Sequence, residues 1–163
     1  VLLAVKVRVS EVVAVLDKRD QAWVKYYFGK DAVMVRNGVD FNKFSFKPRT
    51  PIKGRAIQIF MNGVLMPHRR FEDGMRAVKI LLDRNYDVRL EIAGDYGIGN
   101  EYYDSLVRLV NELALSNQVN FSGLLSEEDL LRKYQASDIF LFPNHLQSWG
   151  LAVFEARAFQ SIR

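Results

Sequence analysis

Gln147, Gly150 and Glu155 have the types and spacing to grip an anion; they sit in the stretch Pro143-Asn144-His145-Leu146-Gln147-Ser148-Trp149-Gly150-Leu151-Ala152-Val153-Phe154-Glu155-Ala156. Ahead of them the apolar run Ile139-Phe140-Leu141-Phe142 reads as a buried strand that Pro143 stops, and Gly150 lets the backbone turn tightly into an apolar helix carrying one acid. The start of a helix presents unpaired N–H groups and the positive end of the dipole, so a phosphate binds there with little extra help. Gln147 and Glu155 flank that position as hydrogen-bonding groups.

A second cluster, His68-Arg69-Arg70, lies where a loop enters a helix. Two cations at a helix start oppose the dipole by about 0.3–1 kcal/mol each, and Glu72 and Asp73 offset part of this. A bound anion nearby makes better sense of the placement. His145 shares the chain with one other histidine and no clustered acids, so it reads as a loop residue near the ligand and not as a metal ligand.

Positioning these groups requires a particular order of elements. Val12–Leu16 reads as a strand, Asp17 as a helix N-cap, and Lys18–Phe28 as a helix with Trp23, Val24, Tyr27 and Phe28 on one face. Ala32–Arg36 is a further strand, Asn37-Gly38-Val39-Asp40 a turn, and the aperiodic segment to about Arg55 a connector. A regular alternation follows. Ala56–Asn62, Val88–Ala93, Gln118–Ser122 and Asp138–Phe142 read as strands. Between them, Phe71, Met75, Val78 and Leu82, then Tyr103, Leu106, Val107, Val110 and Leu113, recur at helical spacing, and Ser126-Glu127-Glu128-Asp129 opens a third helix. Strands separated by helices imply right-handed crossovers and a parallel sheet covered on both faces, an α/β doubly wound fold.

Counting from Ala56, a sheet of order 3-2-1-4 makes the first and fourth strands neighbours at the topological switch point, and ligands bind at the carboxyl ends of strands there. The loop from Gly63 to Arg70 and the loop from Pro143 to Gly150 are thus expected to converge, bringing the arginine pair towards the Gln147/Glu155 helix. A diphosphate-bearing ligand fits such a site. Gly94-Asp95-Tyr96-Gly97-Ile98-Gly99 follows the second strand and has the wrong glycine order for a dinucleotide fingerprint, so it reads as a turn bordering a nucleoside pocket. Trp149 reads as packing under its loop.

With 163 residues, 49% hydrophobic and 26% charged, the chain has the composition of one globular domain with a real core. The absence of cysteine excludes a disulfide framework and a thiolate metal site, and fits a reducing compartment. The net charge of +4 comes from cations scattered among acids, which argues against nucleic acid as a partner. No apolar run is long enough to cross a bilayer, so the expectation is a cytoplasmic protein, soluble or peripheral at a membrane surface. The chain starts without methionine and stops at Phe159-Gln160-Ser161-Ile162-Arg163 in sequence that still reads as helical, which suggests a fragment.

Several segments then fall into one pattern. Asn37-Gly38-Val39-Asp40 with Phe44, Gly63-Val64-Leu65-Met66-Pro67-His68-Arg69-Arg70 with Ala77, Val119-Asn120-Phe121-Ser122-Gly123, Tyr134, Asp138, Pro143 and the Gln147-to-Glu155 spacing occur in order and at the right separations. From about Val12 onward the chain resembles the retaining glycosyltransferases of family 4, whose GT-B fold sets two Rossmann-like domains across a cleft. The resemblance implies that residues 1–36 are the tail end of the N-terminal, acceptor-binding domain. Residues 37–55 would be the interdomain connector, and 56–163 an incomplete C-terminal donor-binding domain.

The resemblance also implies transfer of a sugar, with retention, from a nucleotide-diphosphate sugar of UDP or GDP type, with no cofactor and no obligatory metal. A glycan or lipid-linked acceptor would be bound through the missing N-terminal domain, and the fragment alone would be inactive. Arg69 matches the family's basic loop residue and Glu155 the second glutamate, which accepts hydrogen bonds from the nucleotide ribose; these two are the catalytic candidates. Gly63, Arg70, Gly94, Gln147, Ser148, Gly150 and Leu151 complete the donor-binding set, Gly150 and Leu151 through backbone N–H groups. The chain departs from the pattern at Gln147 in place of the first glutamate, at Val64 where an arginine often holds the diphosphate, and at Arg70 in place of a glycine. Two other readings stay open: a non-catalytic module that binds nucleotide sugars or sugar phosphates, and another GT-B-like enzyme such as an epimerase or a phosphorylase.

Overall fold

The computed structural model describes residues 2–40, 54–97, 99–145 and 150–158. The chain divides into two units, one of residues 1–40 with 147–151 and one of residues 41–146 with 152–163.

In the first unit, helix α1 (Leu2–Val9) precedes strand β1 (Val13–Val15), helix α2 (Lys18–Phe28) and strand β2 (Ala32–Met34), and the two strands pair in parallel with Val13 opposite Ala32. Sequence periodicity did not single out α1, because its run of valines and leucines suits a strand equally well. Asp17 caps α2 by accepting the Asp20 amide at 2.8 Å, and Gly29 ends it in the left-handed region at φ 66°. Val24 is buried, whereas Trp23 and Tyr27 of the same face stay more than half exposed with their rings 4.3 Å apart.

The second unit is the regular alternation. Strands β3 (Ile57–Asn62), β4 (Val88–Ala93), β5 (Val119–Gly123) and β6 (Ile139–Phe140) form one parallel sheet in the order β5-β4-β3-β6, which is the 3-2-1-4 order of a Rossmann-like half. The crossovers carry helices α3 (Phe71–Asp83), α4 (Glu101–Glu112) and α5 (Glu127–Ala136), and α6 (Leu151–Ala158) follows β6. Alternate residues of the central strands, Ile59 and Met61, Leu90 and Ile92, meet Phe71, Met75 and Val78 of α3 and Leu106 of α4 in the core. Full burial of such side chains contributes about 1.5–3 kcal/mol each. Asn100 and Ser126 cap α4 and α5 with their side chains, as short polar residues before an amphipathic run do.

Strand β6 is shorter than its apolar run suggested. It pairs over Ile139 and Phe140, and the Asp138 amide to the Gln58 carbonyl (2.7 Å) and the Leu141 amide to the Phe60 carbonyl (2.9 Å) add one bond at either end before Pro143 stops the ladder. Asp138 also fastens the amino end of this pair. Its nearly buried carboxylate takes both Arg55 guanidinium nitrogens at 2.7 Å and the Gln58 amide at 2.8 Å. None of the described helices is long and apolar enough to cross a membrane.

Candidate functional site

At the carboxyl ends of the sheet the loops continue the strand pairing. Gly63 donates to the Ala93 carbonyl at 3.0 Å, Leu65 to that of Asp95 at 3.0 Å, and Gly94 to that of Gly123 at 2.8 Å. Asn100, the cap of α4, adds its side-chain amide to the Leu65 carbonyl at 3.1 Å. The approach of the first two loops requires glycine: at φ 154°, a Cβ on Gly94 would lie 2.7 Å from the Gly63 carbonyl carbon. The Gly94 loop is held from the side by Tyr96, whose ring stacks on Tyr103 of α4 with centroids 4.2 Å apart. Ile98 lies outside the described residues.

After Gly63 the chain makes a 3₁₀ turn over Pro67–Arg69, with Arg69 donating to the Met66 carbonyl at 2.9 Å, and Arg70 then takes the left-handed conformation at φ 57°, ψ 42° to start α3. That conformation costs an ordinary residue roughly 1–2 kcal/mol, a strain that a glycine would not carry. The two arginines do different things. Arg69 folds back over Gly63: a Cβ built there would sit 3.2 Å from its Cζ and 3.3 Å from Nη1, and its Nε is buried. Arg70 forms a bidentate pair with Asp73 at 2.9 and 3.1 Å and approaches Glu72 at 3.5 Å. The Arg70 hydrogen bonds hold the Asp73 carboxyl below its ordinary range. Its own helix turn thus balances the charge of Arg70, which weakens the expectation that a bound anion must do so.

Tyr102 of α4 supports the same helix start. Its hydroxyl accepts the Phe71 amide at 3.1 Å and donates to Glu72, and burial, reinforced by that carboxylate, pushes its ionisation far above the usual phenol range. It therefore stays protonated as a donor.

The loops after β3 and β6 meet. The His145 amide donates to the His68 carbonyl at 2.9 Å, joining the basic loop to the segment that follows Pro143. This is the convergence that the strand order demands at the switch point. Leu146, Gln147, Ser148 and Trp149 lie outside the described residues. Gly150, buried and at φ 70°, stands immediately before α6, and it groups with Leu151 in the first unit.

Glu155, on α6, is half-buried in the second unit and accepts a hydrogen bond from the Tyr134 hydroxyl at 3.2 Å. Tyr134, 1% exposed, accepts in turn from the Asn62 side-chain amide at 3.2 Å. Burial, together with the charge of Glu155, raises the Tyr134 ionisation well beyond the usual phenol range and keeps its proton available. Sequence reasoning assigned no role to Asn62, although a polar residue closing the apolar run Ile59-Phe60-Met61 at a strand's carboxyl end was a signal for one. Among the described residues no group of three or more histidines and acids is placed to hold a metal ion.

Residues 42–162 match the family model of the glycosyl transferases group 1. The D-inositol 3-phosphate glycosyltransferase of Mycobacterium sp. strain KMS is 33% identical over 132 residues, covering 77% of this chain and 29% of that protein. That of Saccharomonospora viridis is 29% identical over 151 residues, covering 85% and 35%. The chain thus spans about a third or less of the length of these curated relatives. Among solved structures, Anabaena HepE in complex with UDP-glucose superposes with a TM-score of 0.79 at 19% identity, over 94% of this chain and 44% of that one. The C-terminal domain of the group 1 protein LpcC from Francisella tularensis does so with a TM-score of 0.65 at 21% identity, over 75% and 67%. At these identities the two structures speak for the fold.

Proposed function

The chain belongs to the glycosyl transferases of group 1, and from that premise we propose that it supplies the donor-binding half of a retaining transferase that uses a nucleotide-diphosphate sugar. The observation that carries the proposal is the His145-to-His68 hydrogen bond. It joins the loop that lays the Arg69 guanidinium over Gly63 to the loop that leads into the Glu155 helix.

In this reading the bond from the anomeric carbon to the diphosphate breaks, and its electron pair stays on the diphosphate oxygen. A bond forms from the anomeric carbon to an acceptor hydroxyl oxygen, and the proton of that hydroxyl passes to the departing diphosphate. Arg69 meets the charge that develops there; a guanidinium suits phosphate oxygens because it can bind two at once. Glu155 accepts the ribose hydroxyls. By the resemblance, Gly150 and Leu151 would serve the donor through their backbone amides, Gln147 would hydrogen-bond a sugar hydroxyl and Ser148 would belong to the donor-binding set. Gly94 and its loop border the nucleoside. Arg70, engaged with Asp73, contributes to the shape of the loop more than to its free charge.

A uridine nucleotide is the first choice of donor, since HepE, which shares the fold, binds UDP-glucose. The acceptor would be a glycan or a lipid-linked sugar held by an N-terminal domain to which residues 1–36 belong, with residues 37–55 as the connector. Transfer itself would then require that domain.

Titration calorimetry of the chain with UDP, UDP-glucose and GDP tests the proposal. Uridine ligands should bind, and Glu155→Ala should weaken UDP by about 1–3 kcal/mol through loss of charge-assisted hydrogen bonds. Absence of binding by the wild-type chain, or an unchanged affinity in the variant, counts against the assignment.

A further inference from the structure

Asn62, Tyr134 and Glu155 form a directed hydrogen-bond chain from the end of the central strand, through α5, to α6. The Asn62 amide donates to the Tyr134 hydroxyl at 3.2 Å, and that hydroxyl donates to Glu155 Oε2 at 3.2 Å. Each link has one sense. An amide nitrogen can only donate, so the tyrosine oxygen receives from Asn62 and turns its single proton to the carboxylate. Tyr134 cannot swing away, because its ring packs edge-on to Phe60 of β3 with centroids 5.3 Å apart and lies 5.3 Å from Phe140 of β6. It is among the most completely buried large side chains. A rigid ring on the sheet therefore fixes a donor at the one acid of α6.

We propose that Tyr134 is a positioning residue for Glu155: by holding Oε2 it fixes the carboxylate plane and leaves the remaining acceptor capacity to the ribose hydroxyls of the donor nucleotide. The inference rests on the ribose-binding role proposed for Glu155. A flexible glutamate loses side-chain entropy when it grips a ligand, and a carboxylate already fixed by a buried donor has lost much of it beforehand. Asn62 acts one step further back. It satisfies the tyrosine oxygen and so orients the hydroxyl proton.

The test compares UDP, 2′,3′-dideoxy-UDP and inorganic pyrophosphate by titration calorimetry on the wild-type chain, Tyr134→Phe and Glu155→Ala. The ratio of UDP to dideoxy-UDP affinity isolates the ribose hydroxyls, and pyrophosphate reports whether the rest of the site is intact. Tyr134→Phe should lower that ratio by ~3–10-fold, the effect of losing one fixed hydrogen bond, and leave pyrophosphate binding unchanged. Glu155→Ala should lower it at least as far.

If Glu155→Ala lowers the ratio and Tyr134→Phe does not, the positioning role is wrong while the ribose reading stands. If neither variant lowers it, or the wild-type chain shows no preference for ribose, the ribose reading falls and the positioning role with it. Equal losses for all three ligands in Tyr134→Phe make the residue merely structural and overturn the inference. Where Tyr134→Phe fails to fold, Asn62→Ala takes its place: a smaller drop in the same ratio is expected, and an unchanged ratio refutes the role.

Discussion

Gly94 and Gly63 touch backbone to backbone at the carboxyl ends of adjacent strands, so closely that a Cβ on Gly94 would be 2.7 Å from the Gly63 carbonyl carbon. The loops after β3 and β4 depend on this contact. The Gly63 amide bonds to Ala93 and the Gly94 amide to Gly123, which places three strand ends in one hydrogen-bonded row. Gly94→Ala would add a methyl group where the neighbouring backbone already sits, at a φ of 154° that side chains rarely adopt. The expected cost is about 2–4 kcal/mol of stability, combining backbone strain with overpacking. Urea denaturation measures it, and a loss under ~0.5 kcal/mol would mean that the loops part easily.

Asp138 closes the other end of the sheet. Its carboxylate, 4% exposed, ties Arg55 and the Gln58 amide across the β3–β6 edge. Asp138→Ala strands the partly buried Gln58 amide and unpairs Arg55, and should destabilise the fold by about 1–3 kcal/mol. Nucleotide affinity should hold, because this clamp lies at the amino ends of the strands, away from Gly63 and His145. A weakened nucleotide affinity alongside an unchanged urea midpoint would reverse that division of labour.

The sheet was legible in the sequence because its signals are local and redundant. The apolar strands, the cap Ser126, and the helical spacing of Phe71, Met75 and Val78 each point to the same alternation, and the order 3-2-1-4 is that of a doubly wound sheet. The meeting of the loops followed from that order. What stayed hidden depends on side-chain direction, which spacing does not encode. Arg69 and Arg70 are adjacent and chemically alike, yet the left-handed turn at Arg70 sends one over Gly63 and the other back to Asp73. The Asn62-to-Tyr134 bond spans 72 positions and has no periodic signature. Gln147 and Ser148 lie outside the described residues, so their part rests on the resemblance alone.

Glu91 of β4 gives the fold a specific acid sensitivity. Burial works against its charge, but hydrogen bonds from Lys133 at 2.7 Å, from Ser122, and from Asn120 at 3.1 Å outweigh that and hold the carboxyl below its ordinary value. A depressed folded-state pKa stabilises the native state above the unfolded-state pKa, and the contribution fades as pH falls through the folded one. Stability should therefore drop as pH falls below the ordinary glutamate range, where the unfolded chain takes up the proton first. Glu91→Gln should be less stable at neutral pH and show a shallower fall across that window. Parallel pH profiles for the two proteins would refute the assignment.

Arg69 separates a phosphate role from a structural one, because its guanidinium covers Gly63 in either case. If it serves only to pack the loop, Arg69→Ala weakens every ligand alike and lowers stability. If it meets the diphosphate, the loss tracks the number of phosphates: about 1–3 kcal/mol for UDP, the worth of charge-assisted hydrogen bonds, and little for uridine. Added salt should shrink the contrast, since screening weakens the wild-type diphosphate affinity more than that of the variant. Arg69→Lys keeps the charge but loses the planar fork, so it should recover part of the UDP affinity and not all of it. Calorimetry with UDP and uridine at two ionic strengths decides the matter, and equal losses for both ligands would assign Arg69 to packing.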